Sequence, residues 1–178
     1  MRYPNKPFHP SCMQNEPALL SSNPSYRPKL VLSLLFLALQ IHIQAQIWTP
    51  ISGLPVTEQL KAIKFIDLST GWAAGESGTI LKTIDGGMTW STQVSGTTNT
   101  LRSIFFLDGN NGWACGDEGT IITTTNGGNS WNPQSSPYTT QYNAIRFANT
   151  NTGWVIGAGN VLLKTSNGGA IWTQQQNQ

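Results

Sequence analysis

The sequence predicts an all-β fold made of β-propeller blades of four antiparallel strands, with three complete blades and one leading strand. Three observations predict it. A 41-residue unit is written three times, with cores at residues 60–90 (LKAIKFIDLSTGWAAGESGTILKTIDGGMTW), 101–131 (LRSIFFLDGNNGWACGDEGTIITTTNGGNSW) and 142–172 (YNAIRFANTNTGWVIGAGNVLLKTSNGGAIW). Its register is constant, because Gly71-Trp72, Gly112-Trp113 and Gly153-Trp154 stand 41 residues apart, as do Trp90, Trp131 and Trp172. Within each unit apolar and β-branched runs alternate with Gly, Asn and Asp clusters, and no stretch has the helical period. A period of about 40 to 45 residues holding several short strands describes a blade, which buries its faces only against its neighbours.

The first unit reads as strand A over 61–66, B over 71–75, C over 79–84 and D over 89–94, and the same offsets apply in the later units. The blades then cover about 60–95, 101–136 and 142–176 of a repeat region spanning 46–178. Trp48 precedes Trp90 by 42 residues, so residues 47–51 read as a D strand without its A, B and C. In closed propellers such a strand completes the last blade. Three blades and one strand fall short of the four to eight that close a ring. An open arc would leave apolar blade faces wet, so the region is expected to belong to a longer propeller or to self-associate. Position also predicts that Trp113, in the middle unit, is covered more fully than Trp172 in the last.

Residues 1–45 read as a leader with a secretory signal peptide. Arg27-Pro28-Lys29 precedes the largely apolar run 30–39 (LVLSLLFLAL), and Ala45-Gln46 follows a short mixed stretch. Ten residues are too few to span a bilayer, so no stable membrane span is expected after cleavage. The Ala-Gln junction resembles signal peptides of Gram-negative bacteria that use type IX secretion, which implies a periplasmic or extracellular protein. The Pro/Ser-containing stretch before Arg27 is long for that class, and leaves open two-step targeting to a plastid thylakoid lumen or a start at Met13.

The formal charge of +2 is unevenly placed. The leader carries Arg2, Lys6, Arg27 and Lys29 against Glu16, a balance of +3. The rest carries six basic residues (Lys61, Lys64, Lys82, Arg102, Arg146, Lys164) against seven acidic ones (Glu58, Asp67, Glu76, Asp85, Asp108, Asp117, Glu118), a balance of −1. Without a basic stripe there is no electrostatic footprint for nucleic acid. Cleavage would also remove Cys12, His9 and His42, leaving Cys115 as the one thiol and no histidine. That excludes an internal disulfide and makes a metal site improbable; no cofactor is expected. Cys115 takes the place of Ala74 and Ile156, which predicts a small buried hydrophobe.

Between strands C and D each unit carries Thr-x-[Asp/Asn]-Gly-Gly-x-x-Trp, at residues 83–90, 124–131 and 165–172. In this hairpin Asp85, Asn126 and Asn167 can accept from backbone N–H groups across the turn. Gly87, Gly128 and Gly169 allow positive φ, and Trp90, Trp131 and Trp172 pack beneath. The motif resembles the Asp-box, or bacterial neuraminidase repeat, and its expected role is structural.

The whole unit resembles the photosystem II stability/assembly factor family of seven-bladed propellers. Gly71-Trp72, Gly75, Gly78-Thr79-Ile80-Leu81 and Asp85-Gly86-Gly87 carry the resemblance in the first unit, and Gly112-Trp113, Gly116, Gly119-Thr120-Ile121-Ile122 and Asn126-Gly127-Gly128 in the second. The third departs at Asn160-Val161, where Gly-Thr is replaced. The resemblance implies a non-catalytic factor that binds an assembling protein; it does not identify that partner.

The rival expectation is a fragment of a carbohydrate-active propeller enzyme, sialidase-like or xyloglucanase-like. A sialidase needs an arginine triad and a Tyr nucleophile polarised by Glu. Beyond the leader only Arg102 and Arg146 are present, and nothing places a Glu beside Tyr138 or Tyr142. Glu76 and Asp117, with Glu118 alongside, hold equivalent positions in adjacent units and could supply two carboxylates. The position is read as a solvated hairpin tip rather than a catalytic pair. The loops between D and A and between B and C are expected to form the binding face, carrying Glu76, Asp117, Glu118, Arg102 and Arg146, with no catalytic residue among them.

Overall fold

In the computed structural model, which describes residues 52–175, twelve strands form three separate four-stranded antiparallel sheets. The first is β1 (Leu60–Phe65), β2 (Gly71–Gly75), β3 (Ile80–Thr83) and β4 (Ser91–Gln93), and the second is β5 (Leu101–Phe106), β6 (Gly112–Gly116), β7 (Ile121–Thr124) and β8 (Asn132–Pro133). The third is β9 (Tyr142–Phe147), β10 (Gly153–Gly157), β11 (Val161–Thr165) and β12 (Thr173–Gln174). Each sheet meanders in chain order, so each is one blade and the expected fold class is borne out. The leading strand read at 47–51 and the leader itself lie outside the described residues.

Strand ends differ from expectation by one to two residues, for local reasons. Strand A starts at Leu60 and stops at Phe65, because the Ile66 N–H turns back to the Thr70 carbonyl. Strand C starts at Ile80, because the Thr79 N–H closes a 3-10 turn onto the Glu76 carbonyl. It ends at Thr83, whose hydroxyl is already committed to the following turn. Two such 3-10 turns, Glu76–Gly78 and Asp117–Gly119, are the helical elements among the described residues. In the third blade Asn160 replaces the glycine of these turns yet keeps φ near +60°. Asn is among the few L-residues that hold this conformation at modest cost, so the sequence departs while the backbone does not.

The blades pack through two equivalent apolar junctions. In the first, Trp72, Ala74 and Ile80 meet Leu101, Ile104, Phe106, Ala114, Ile122 and Trp131; in the second, Trp113, Cys115 and Ile121 meet Tyr142, Ile145, Phe147, Val155, Leu163 and Trp172. Trp72 stacks on Phe106 with ring centroids 3.6 Å apart, and Trp113 on Phe147 at 3.7 Å. The indole N–H of each donates across the junction, Trp72 to the Gly127 carbonyl at 3.1 Å and Trp113 to Gly168 at 3.2 Å. Trp131 and Trp172 meet the same two Phe rings edge-on. The expected contrast between Trp113 and Trp172 is therefore corrected: both are buried, because both belong to the second junction. Cys115 is buried there as expected, and burial pushes its thiol well above the ordinary range.

Candidate functional site

Strand direction sorts the connections onto two rims. In an antiparallel four-strand meander the A–B and C–D connections share one end, and the B–C and D–A connections share the other. Hydrogen bonds confirm both pairings. The Gly86 N–H of a C–D turn donates to Ser69 of the A–B loop at 2.8 Å, and the Gly119 N–H of a B–C turn donates to Thr140 of a D–A loop at 2.8 Å.

The side chains of the C–D turns bond within the turn. Thr83 Oγ1 accepts from the Gly87 N–H at 2.9 Å and donates to Asp85 Oδ1 at 2.8 Å. Asp85 Oδ1 also accepts from the Thr89 N–H at 2.9 Å. Thr124 and Asn126 repeat this in the second blade, and Thr165 and Asn167 in the third. Gly87, Gly128 and Gly169 have φ near +90° to +101°, which only glycine adopts without strain. Trp90 donates to the Gly87 carbonyl at 3.1 Å. Hydrogen bonds from Thr89 and Thr83 hold the Asp85 carboxyl at about 2. The Thr and Asp or Asn side chains of the turn thus serve the turn itself, while the Gly127 and Gly168 carbonyls accept from the indole of the preceding blade.

The opposite rim gathers four of the five expected binding residues. The Glu76 N–H donates to the Gln59 carbonyl at 2.9 Å and the Asp117 N–H to Thr100 at 2.9 Å, which brings each carboxylate beside the start of its own strand A. There Glu76 pairs with Lys61 at 2.9 Å, and Asp117 receives Arg102 through both Nε and Nη2. Glu76 of the neighbouring blade adds to the field that raises the Arg102 pKa, after the dominant hydrogen bond to Asp117. Lys61, Glu76, Arg102 and Asp117 therefore form a run of alternating charge across two blades, and Glu118 projects into solvent at φ +54°. Glu76 and Asp117 sit on the B–C turns, partly exposed, each in an ion pair with the start of its own strand A. In the third blade Asn143 and Ala158 occupy the same positions, and the pattern lapses.

Arg146 is not part of this group. It lies one residue from the far end of β9, donates to Ser103 Oγ at 3.2 Å and sits over the Phe105 ring at 5.9 Å. Lys64 covers the same ring at 5.5 Å. Lys64, Phe105 and Arg146 are 41 residues apart, so one repeat position places two cations on either side of an aromatic ring in successive A strands. The period could have revealed this row, and Lys61 as the counterpart of Arg102, had basic residues been compared column by column.

An open groove of about 670 Å3 lies on the same rim as the ion pairs, between the turn at 77–80 and residues 92–99. It exposes Val94 and is edged by Ser77, Thr97 and Asn99. Asn99 ties the groove to the second blade by donating to Thr120 Oγ1 at 2.9 Å. Tyr142, a candidate nucleophile for sialidase chemistry, is buried in the second junction. Its hydroxyl contacts Ser136 Oγ and the Tyr138 carbonyl, and burial raises its pKa.

Residues 93–177 match the family described as Photosynthesis system II assembly factor YCF48. Among solved structures the chain is similar to YCF48 bound to D1 peptide, with 28% identity and a TM-score of 0.62 over 68% of this chain and 42% of that one. It is also similar to YCF48 from Cyanidioschyzon merolae, with 25% identity and a TM-score of 0.60 over 68% and 38%. An ancestral GH74 enzyme, 18% identical with a TM-score of 0.55 over 70% of this chain and 19% of that one, shares the fold alone. No curated protein matches the chain. The chain spans about two fifths of the length of the YCF48 structures. In the sequence of residues 93–177 and in its four-stranded blades, the chain carries the repeat and the fold of the YCF48 photosystem II assembly factors.

Proposed function

We propose that this chain is an exported, non-catalytic propeller module that binds a segment of another protein, in the manner of an assembly or scaffold factor. The observation that carries the reading is the likeness to a YCF48 structure holding a D1 peptide, at 28% identity over 68% of this chain. The geometry supports it. The rim of B–C turns and D–A loops offers an open groove and, on the same rim, a run of alternating charge, features suited to an extended peptide with its own polar groups. The carbohydrate-active alternative rests on a likeness of fold alone, and the carboxylates it would use, Glu76 and Asp117, are each engaged with a cation of strand A.

The D1 peptide serves as the probe. Titrated into the chain it should bind, and Arg102→Ala should slow association and lessen its dependence on salt, as loss of a rim charge does. Turnover of a fluorogenic glycoside, abolished by Glu76→Gln or Asp117→Asn, would refute the non-catalytic reading. Export rests on the residues 27–46 pattern, and predicts a mature protein whose amino terminus is Gln46, recovered outside the cytoplasm. Recovery of uncleaved chain in the cytoplasm would contradict it.

A further inference from the structure

We infer that Asn167, in the third C–D turn, is a deamidation site, and that the turn holds the resulting aspartate in the place Asp85 fills in the first blade. Three Asn-Gly pairs occur in the sequence, Asn111-Gly112, Asn126-Gly127 and Asn167-Gly168. Glycine has no Cβ, so the peptide nitrogen that follows the asparagine is unhindered. On losing its proton that nitrogen attacks the asparagine Cγ: the N–Cγ bond forms, the Cγ–Nδ2 bond breaks, and Nδ2 takes up a proton and leaves as ammonia. Water then opens the imide ring, at the N–Cγ bond to give aspartate or at the backbone carbonyl to give isoaspartate. One water enters and one ammonia leaves, with no oxidant or reductant. The step needs a side-chain amide free to leave and a glycine free to move toward it.

The three pairs differ in what restrains them. Asn111 Nδ2 donates to both oxygens of Asp108, at 3.1 and 2.9 Å, and Gly112 is buried in β6. Asn126 Nδ2 donates to Ser130 Oγ at 2.9 Å. The Gly127 carbonyl accepts from Trp72 at 3.1 Å and from Lys82 at 3.0 Å, and the residue is buried. Both restraints slacken in the third turn. Ile171 stands where Ser130 does, so Asn167 Nδ2 has no hydrogen-bond partner among the described residues. Thr123 stands where Lys82 does and donates to the Gly112 carbonyl at 3.1 Å, so the Gly168 carbonyl accepts from Trp113 alone among the described residues, and Gly168 is half-buried. The bond each glycine N–H makes to its A–B loop is common to both turns, Gly127 to Asn110 at 2.9 Å and Gly168 to Asn151 at 2.8 Å. Asn126 and Asn167 are exposed alike, and Gly168 faces the second blade rather than the end of the chain. The product fits as well. Asn167 Oδ1 accepts from the Thr165 hydroxyl and the Ile171 N–H, both at 2.9 Å, as Asp85 Oδ1 accepts from the Thr83 hydroxyl at 2.8 Å and the Thr89 N–H at 2.9 Å. An aspartate at 167 keeps both donors and turns its second oxygen to solvent.

The experiment holds the full chain in mildly alkaline buffer, native and in urea, and reads the conversion of amide to acid at each asparagine by tandem mass spectrometry of tryptic peptides. In the native chain Asn167 should convert about fivefold faster than Asn126, the weight of one side-chain hydrogen bond of ~1 kcal/mol, and Asn111 should lag likewise. In urea the three rates should converge. Ile171 is 62% exposed, so Ile171→Ser restores the missing acceptor without touching the core and should slow Asn167 to the rate of Asn126. Ser130→Ala should speed Asn126 by about the same fivefold, which keeps the test open should the first variant fold poorly. Asn167→Asp should melt within about 2 °C of the wild type. Equal native rates at 126 and 167, a preference for 167 that persists in urea, or rates that neither variant changes would each overturn the assignment. An Asn167→Asp chain that fails to fold would overturn the claim that the turn holds the product.

Discussion

Replacing Trp113 with alanine isolates what holds one blade to the next. The indole is buried, stacks on Phe147 at 3.7 Å and donates to the Gly168 carbonyl at 3.2 Å. Truncating a large aromatic in a core costs about 3 to 5 kcal/mol. The stack accounts for about 0.5 to 1.5 kcal/mol of that, and the orphaned carbonyl for about 1 kcal/mol. Trp154 is the same residue of the next repeat, yet it is partly exposed and has no stacking partner among the described residues. Trp154→Ala should therefore cost about 1 kcal/mol, a typical value for a substitution outside the core. The difference of about 3 kcal/mol corresponds to a gap of about 12 °C in thermal midpoint at ~4 °C per kcal/mol for a unit of this size. Circular dichroism melts of the two variants measure it. Midpoints within about 2 °C of each other would refute the claim that the Trp–Phe stack and its hydrogen bond carry the junction.

Two further outcomes follow from the turns and the core. Asp85 has a folded pKa of about 2 against an ordinary 3.8, so the stability it contributes is present above about pH 4 and lost as pH falls through about 2. Asn126 and Asn167 fill the same place without a titrating group, so Asp85→Asn should fold normally and the gap between wild type and variant should narrow from pH 4 to 2; a constant gap would contradict the assignment. The lowered Asp67 and Asp108 are common to both proteins and cancel in that difference. Cys115, buried and with its thiol pushed up, should resist a thiol reagent until urea unfolds the chain; rapid labelling of the native protein would show the second junction to be open.

The blades were legible in the sequence because the repeat forces the same hydrogen bonds and the same apolar columns three times over. Gly71-Trp72 and the paired glycines at 86–87 fall where the backbone requires them, so the strand order follows with end errors of one to two residues. Burial was less legible. Trp172 lies in the last unit, but its side chain points back into the junction with the blade before it, a direction that depends on sheet stacking rather than on position in the chain. The candidate site divided for a similar reason. Glu76, Asp117 and Arg102 converge because two turns and two strand starts share a rim, whereas Arg146 extends from the far end of its strand toward Phe105. The pairing of Lys61 with Glu76 needs the three-dimensional return of the B–C turn onto strand A, which no local pattern of residues 59–76 states.

Hydrogen–deuterium exchange of the chain with and without D1 peptide tests the central claim most directly, because it reports where a partner touches without presuming chemistry. The account predicts protection of backbone amides at 76–80, 94–100 and 117–120, the rim of B–C turns and D–A loops, with the turns at 85–88 and 126–129 unchanged. Protection confined to those C–D turns, or none at saturating peptide, would contradict it.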